Sequence, residues 1–339
     1  MDLRLQQNIE LSSYTTFGVP AQARYFVEIN NLEQLNELRN LPEFALPQLW
    51  IGGGSNMLLT QNFKGIAIKL SLKGMKQEGS KPGKVRVSAG AGENWHQFVH
   101  YCLKQNWGGL ENLSLIPGNV GTAPMQNIGA YGVEIKDTLT QLEAWEVSTG
   151  KLHTFQNEDC RFGYRDSIFK QEYRGRYVIT KVYFELSRGE HFLHTDYGAI
   201  RNELANQNLT PNIHSIAKVV CDIRRSKLPD PAQVGNAGSF FKNPVVPLAQ
   251  ARELQAHYAD IPVYTLPGQK AKLAAGWLIE QCGWKGYREG NYGVHPKQAL
   301  VLVNYGGATG AEIRNLADAI KQSVFRKFAL QLETEVNII

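Results

Sequence analysis

The chain has 339 residues, 43% of them hydrophobic and 20% charged, with a formal net charge of +5. That length and composition describe a folded protein of two or three domains with a substantial buried core, and they exclude a disordered chain. The charge is modest and its densest basic run is Arg224-Arg225, so a nucleic-acid partner is not indicated, although an anionic small substrate would be accommodated. Cys102, Cys160, Cys221 and Cys282 never fall in a Cys-x-x-Cys spacing; they read as reduced thiols with neither a bound metal nor a disulfide framework. The opening Met1-Asp-Leu-Arg-Leu carries no apolar stretch of signal-peptide type, and no apolar run approaches membrane-spanning length. A cytoplasmic protein with no membrane partner is expected.

In chain order, a strand-like segment at residues 23–29 precedes a short amphipathic helix at 32–39, where Leu32, Leu35 and Leu38 recur at helical spacing. A strand at 48–51 runs directly into Gly52-Gly-Gly-Ser-Asn56. A strand feeding small residues can cradle a phosphate on backbone donors, or it can be a plain hairpin turn. The spacing is not G-x-G-x-x-G, because Met57 stands where the third glycine would fall. Residues 66–89 are strand-like, with turn signals at Lys73-Gly74 and Lys81-Pro-Gly83. The pattern at 93–107 predicts a helix with Trp95, Phe98, Val99 and Cys102 on one face.

Residues 116–132, Ile-Pro-Gly-Asn-Val-Gly-Thr-Ala-Pro-Met-Gln-Asn-Ile-Gly-Ala-Tyr-Gly, hold four glycines, two prolines and no charge. Such a run either crosses the core as an ordinary buried loop or presents N–H groups in a nest suited to a pyrophosphate. A hairpin over 142–155 turning at Thr149-Gly150 and a strand at 176–186 follow. Between them lies Cys160-Arg-Phe-Gly-Tyr-Arg-Asp-Ser167, polar and aromatic, natural to neither helix nor strand. Asp196-Tyr-Gly198 reads as a turn presenting an exposed aromatic.

The character changes near residue 210. Helices are expected at 213–225, 248–258, 271–282 and 311–328, with strands at 299–304 and 333–339. A further glycine-bearing polar loop, Gly235-Asn-Ala-Gly-Ser-Phe-Phe-Lys-Asn-Pro244, lies after the first of these helices.

Gly52-Gly-Gly-Ser-Asn56, the 116–132 run, Arg161-Phe-Gly-Tyr-Arg-Asp-Ser167 and Gly238-Ser-Phe-Phe-Lys-Asn-Pro244 occur in this order over nearly the whole chain. Together they closely resemble the UDP-N-acetylenolpyruvoylglucosamine reductases (UDP-N-acetylmuramate dehydrogenases) of bacterial peptidoglycan synthesis, and Tyr197 resembles the tyrosine of the subgroup with a tyrosine-bearing substrate loop. The resemblance implies an α+β protein: a two-subdomain FAD-binding half of the vanillyl-alcohol-oxidase (PCMH) type and a separate α+β substrate domain. It assigns residues 1–70 with the terminal strand 333–339 to one FAD subdomain, 71–210 to the other, and 211–332 to the substrate domain. The implied reaction reduces the enolpyruvyl ether of UDP-GlcNAc-enolpyruvate to UDP-N-acetylmuramate with NADPH, a non-covalent FAD carrying the hydride through its N5. NADPH and the UDP-sugar would use one site in turn, in a monomeric enzyme.

By position, the resemblance makes Arg165, Ser239 and Glu335 catalytic. Hydride delivery to the methylene carbon builds negative charge on the neighbouring carbon and its carboxylate, which the fixed donor fork of Arg165 suits. Glu335, protonated, would assist; a mostly apolar strand favours a raised pKa. Ser239 would supply the proton, tuned by Lys227 or water, because an unaided hydroxyl is a poor acid. The resemblance assigns FAD contacts to Gly52, Gly53, Gly54, Ser55, Asn56 and Met57 in the first cradle. In the second it assigns Pro117, Gly118, Gly121, Thr122, Gln126, Asn127, Ile128, Gly129 and Ala130, with Arg224 from the following helix. Substrate contacts would be Tyr164, Tyr197, Lys227, Asn243, Lys285 and Gln298. One departure stands out: the family commonly carries arginine two positions after the glutamate, where this chain has Asn337. A sugar or alcohol oxidase on the same fold often tethers its flavin to a histidine, and all eight histidines here lie outside both cradles. A UDP-sugar-binding regulator without catalysis would have no need of the Arg165, Ser239 and Glu335 set.

Overall fold

The computed structural model describes residues 3–197 and 199–339. The chain packs as two compact units, one of Met1–Gln7, Arg24–Gly53 and Lys64–Ser226, the other of Asn8–Ala23, Gly54–Phe63 and Lys227–Ile339.

In the first unit, strand Gln48–Ile51 pairs in parallel with Phe63–Leu70, and Gln22–Ile29 lies on the other side of the latter. Helix α1, Leu32–Arg39, is capped by the Asn31 side chain and buries Leu35 and Leu38 against Val27, Ile29, Ile66 and Ile68. A larger antiparallel sheet runs in the order 152–156, 139–146, 177–188, 84–90, 75–81. Along Tyr177–Arg188, Val182, Phe184 and Leu186 are buried while Lys181, Tyr183 and Glu185 are more open, the period-two pattern of a strand with one covered face. The covering element is helix α2, Trp95–Lys104, whose Phe98 ring sits 5.0 Å from Phe184. The predicted helix at 93–107 is shorter at both ends. Asn94 caps its N-terminus by accepting from Gln97 N–H at 3.0 Å, and Asn106 turns left-handed with φ of 57°.

The two sheets share a core. Trp145 and Val178 of the larger sheet pack with the α1 face, and the Trp145 indole donates to Asn36 at 3.1 Å. Helix α3, Ile200–Asn206, carries no strong period and is absent from the sequence expectation; Ile200 and Leu204 pack on Ile216, Val220 and Ile223 of α4, Ile213–Lys227. Tyr197 is exposed, as expected, while the Gly198 position of that predicted turn lies outside the described residues.

The second unit holds helices α5, Leu248–His257, α6, Ala275–Gln281, and α7, Gly310–Phe328. It also has a four-stranded sheet in the order 235–236, 302–304, 292–294, 288–289 and a three-stranded one in the order 245–247, 270–273, 263–266. The predicted helix at 271–282 is a strand, Lys270–Leu273, followed by the shorter α6. Ala271 and Leu273 are buried while Lys270 and Lys272 alternate outward, so period two prevails over helical propensity there. The predicted strand at 299–304 is Leu302–Asn304, and the terminal strand is only Asn337–Ile338, parallel to Met57–Leu58.

Because Trp145 is 2% exposed and tied by its N–H, Trp145→Ala should lower unfolding stability by about 3–5 kcal/mol, read as a reduced urea midpoint.

Candidate active site

In the first unit, Gly53 meets the 116–132 loop backbone to backbone, and Gly52 meets its Thr122 side chain. A Cβ at Gly53 would lie 2.6 Å from Gly118 Cα and 3.1 Å from Asn119 Oδ1, and one at Gly52 would strike the Thr122 methyl. No side chain can be added between the two loops, which is what allows them to approach this closely. The loop is gripped by the start of α2: Trp95 N–H donates to Gly118 O at 3.0 Å, Val120 N–H to Glu93 O at 2.8 Å, and the Trp95 indole to Leu113 O at 2.9 Å. Asn119 and Thr122 close a capping box, each side chain taking the other's backbone N–H. Lys69 holds the Gly52 carbonyl from the opposite side, and burial lowers its pKa.

The end of the loop is tied to the 160–167 motif by three side chains. Asn127, wholly buried with φ of 43°, donates to Glu134 Oε2 at 3.0 Å and to Gly163 O at 2.9 Å, and accepts from Lys136 N–H at 3.3 Å. Ser167 Oγ donates to Met125 O at 2.7 Å. Gly163 and Asp166 bond each other's main chains across a tight turn with Tyr164 and Arg165 at its tip. Arg165 has φ of 53°, donates from Nη2 to Gly129 O at 2.8 Å, and stacks its guanidinium 5.9 Å from the Tyr164 ring. Arg224, on α4, donates from Nε to Leu115 O at 3.1 Å. Burial lowers its pKa, with Arg165 adding a like-charge contribution and Tyr131 and Cys221 opposing it. Tyr197 Cβ lies 3.3 Å from where a Cβ on Gly132 would stand, bringing the exposed tyrosine beside the loop's last residue.

The second unit brings three predicted residues into one neighbourhood. Residues 240–242 run antiparallel to 333–335: Glu335 N–H donates to Phe240 O at 2.9 Å, Lys242 N–H to Glu333 O at 2.9 Å, and Phe241 bridges Thr334. Ser239, half-buried, therefore stands immediately beside the Glu335 segment. Asn56 donates from Nδ2 to Glu335 O at 3.2 Å, while the Asn337 main chain and side chain both donate to Asn56 O, at 3.1 and 2.9 Å. Phe240 and Phe241, both essentially inaccessible, anchor this strip below Ser239, with Phe240 edge-on to Phe17 at 6.2 Å.

The remaining predicted substrate residues are more scattered in their engagements. Asn243 Oδ1 accepts from Ala275 N–H at 2.9 Å at the start of α6. Lys285 is exposed and pairs with Glu280 at 2.8 Å, Gln298 borders Gly276, and Lys227 is exposed at the end of α4. Sequence reasoning missed Lys69, Glu93 and Trp95 in this task; they hold the cradle without lying in it. Nothing in the sequence singles out a lysine in a strand or a helix start for that task.

Residues 23–156 match the FAD binding domain family, which makes this α+β scaffold with its glycine loops the FAD-binding half of a flavoprotein oxidoreductase of the vanillyl-alcohol-oxidase (PCMH) type. Residues 230–339 match the UDP-N-acetylenolpyruvoylglucosamine reductase C-terminal domain family. Proteins named UDP-N-acetylenolpyruvoylglucosamine reductase from Chromobacterium violaceum and Pseudomonas aeruginosa are each 48% identical over 100% of both chains. That of Amoebophilus asiaticus is 49% identical over 99% of both. The fold is shared with the crystal structure of UDP-N-acetylenolpyruvylglucosamine reductase from Thermus caldophilus, with a TM-score of 0.70 at 23% identity over 99% of each chain. The chain belongs to the UDP-N-acetylenolpyruvoylglucosamine reductase family, FAD-dependent oxidoreductases of peptidoglycan precursor synthesis.

The cradle fits FAD: its glycines bring two loop main chains together without side chains between them, and Lys69, Arg165 and Arg224 supply positive charge around it. Gly53→Ala should force the loops apart and weaken FAD binding by about 10–100-fold, read as lost flavin absorbance in the purified protein and a raised Kd on titration.

Proposed function

We propose that the chain reduces the enolpyruvyl ether of UDP-GlcNAc-enolpyruvate to UDP-N-acetylmuramate at the expense of NADPH. The observation that carries this reading is the pairing of 240–242 with 333–335, which sets Ser239 beside Glu335 on a strip tied to Asn56 of the glycine motif. FAD, when bound, supplies hydride chemistry. Gly52, Gly53, Gly54, Ser55, Asn56 and Met57 would hold it from one motif and Pro117, Gly118, Gly121 and Thr122, with residues 126–130 and Arg224, from the other.

The side chains supply the remaining work. Arg165, fixed by its left-handed turn and its bond to Gly129, offers guanidinium N–H groups to the substrate carboxylate as charge accumulates there. Ser239 Oγ delivers a proton to the carbon that bears the carboxylate. Hydride at the methylene and proton at this carbon together saturate the double bond, so the addition balances. Glu335, carrying a proton, donates a hydrogen bond to the same developing charge, and Asn337 holds the Glu335 strand through Asn56 without adding charge. Lys227, Asn243, Lys285 and Gln298 contact the UDP-sugar, with Tyr164 and Tyr197 closing over it; basic groups match a diphosphate and a carboxylate. In functional terms the chain divides into FAD subdomains at 1–70 with 333–339 and at 71–210, and a substrate domain at 211–332. We place the enzyme in the cytoplasm as a monomer, where its nucleotide substrates are made. Among the described residues, no helix is long and apolar enough to cross a membrane.

Anaerobic stopped-flow tests the roles. Visible absorbance should bleach with NADPH and return on adding UDP-GlcNAc-enolpyruvate. Ser239→Ala should leave the bleaching rate unchanged and slow the return by about 10²–10⁴-fold, the usual contribution of a placed general acid; a fast return would overturn the assignment. NADPH and the UDP-sugar occupying one site in turn should give parallel double-reciprocal plots, and intersecting lines would argue for separate sites.

A further inference from the structure

At the start of α2, one side chain touches the cradle loop without a role in the binding or chemistry described above. His96 Nδ1 accepts a hydrogen bond from Leu115 N–H at 3.0 Å. Leu115 has φ of 59°, a conformation that residues other than glycine keep only when held in it. Its carbonyl is held from the other side by Arg224 Nε at 3.1 Å, so α2 and α4 grip the same residue at both polar atoms. Three residues on, Gly118 is bonded to Trp95 N–H and lies against Gly53 with no room for a Cβ. A rotation at Leu115 has little slack to disappear into before it reaches the Gly53–Gly118 contact.

We propose that His96 is a positioning residue for FAD: as the unprotonated acceptor of Leu115 N–H, it holds the left-handed residue that sets Gly118 against Gly53. Nδ1 can do this only without a proton. The imidazolium carries N–H on both nitrogens and would turn a donor toward the Leu115 donor. The groups facing it are also unfavourable to charge: His100 on its own helix, with ring centroids 5.5 Å apart, and Arg224 and Arg225 on α4, with Tyr131 beside Arg224. Desolvation first, then these neighbours, lower the His96 pKa below its ordinary value of 6.5. The sign follows: the neutral form and its bond are complete above the ordinary value and are lost as pH falls through the lowered one. FAD affinity should therefore fall in acid through this one bond.

The test uses the full-length apoprotein, titrated with FAD by flavin fluorescence from about pH 8 to about pH 5, a window spanning the histidine range. Wild type should lose affinity progressively as pH falls, toward the roughly tenfold deficit of a half-buried N–H left without its acceptor, and a wild type that binds equally at both ends overturns the proposal. His96→Asn places an oxygen where Nδ1 stands and does not titrate, so it should bind near the wild-type level at pH 8 and stay flat below. His96→Leu, lacking any acceptor, should bind about tenfold more weakly at every pH. An Asn variant that loses affinity in acid as wild type does overturns the proposal, as does a Leu variant that matches wild type at pH 8. Should His96→Leu fail to fold, the Asn comparison decides alone. A wild-type protein that binds no FAD at pH 8 would strike at the flavin site itself.

Discussion

The constraint on which the flavin-binding half depends is the meeting of two main chains, Gly53 against Gly118, closer than any Cβ permits. Backbone cannot be held at that distance by its own conformational preferences, since glycine loses more freedom on folding than any other residue. The order is imposed from outside. Lys69 fixes the Gly52 carbonyl, and the first residues of α2 take hydrogen bonds from, or give them to, the loop at Leu113, Leu115, Gly118 and Val120. Helix α2 can serve as that platform because its other face is locked into a large core, through Trp95, Phe98, Val99 and Cys102. The hydrophobic core thus acts on the ligand site at one remove, by immobilising the helix end that immobilises the loop.

The same pattern recurs where the chemistry is expected. Arg165 and Ser239 stand on short irregular segments, and each segment is fixed by side chains bonding to main chain. Asn127, Ser167 and Arg165 itself fasten the turn at 163–166 to the cradle loop. Asn56 and Asn337 fasten the Glu335 strip, with Phe240 and Phe241 buried beneath Ser239. A hydrogen bond of this type adds only about 1 kcal/mol net, but leaving a buried Asn127 donor unsatisfied costs about 1–3 kcal/mol, so such ties enforce geometry more than they add stability.

Much of this was legible in the sequence where a physical period or a long motif existed. Helix α1 at Leu32–Arg39 matches its leucine spacing, and α7 begins one residue before the expected 311, at a Thr309–Glu312 capping box. The two glycine motifs were recognisable as cradles, yet their mutual approach was not, because it depends on which loops the sheets bring together. Period was misread at 271–282, where alternating lysines outweighed an alanine-rich run, and α3 was missed because seven residues offer too little periodicity. The terminal segment was read as one strand; instead Glu333–Glu335 serves residues 240–242 and only Asn337–Ile338 continues as strand beside Met57–Leu58. The positioning side chains were the least visible, since a lysine or histidine that bonds a distant carbonyl or N–H leaves no local trace.

The interleaving of the two units bears on how the protein is born. Gly52 and Gly53 belong to one unit, while Gly54 through Phe63 belong to the other, whose bulk begins at Lys227. During synthesis the first sheets and their shared core can form while the later half is still being made, since domains fold as their residues emerge. Within residues 54–63, strand Met57–Leu58 cannot complete its pairing then, for its partner, Asn337–Ile338, lies far downstream in the chain. The strand that follows the first glycine motif is therefore completed only after the bulk of the other unit has been made. Until then the nascent chain carries an unpaired strand edge at Met57–Leu58 that chaperones are suited to shield.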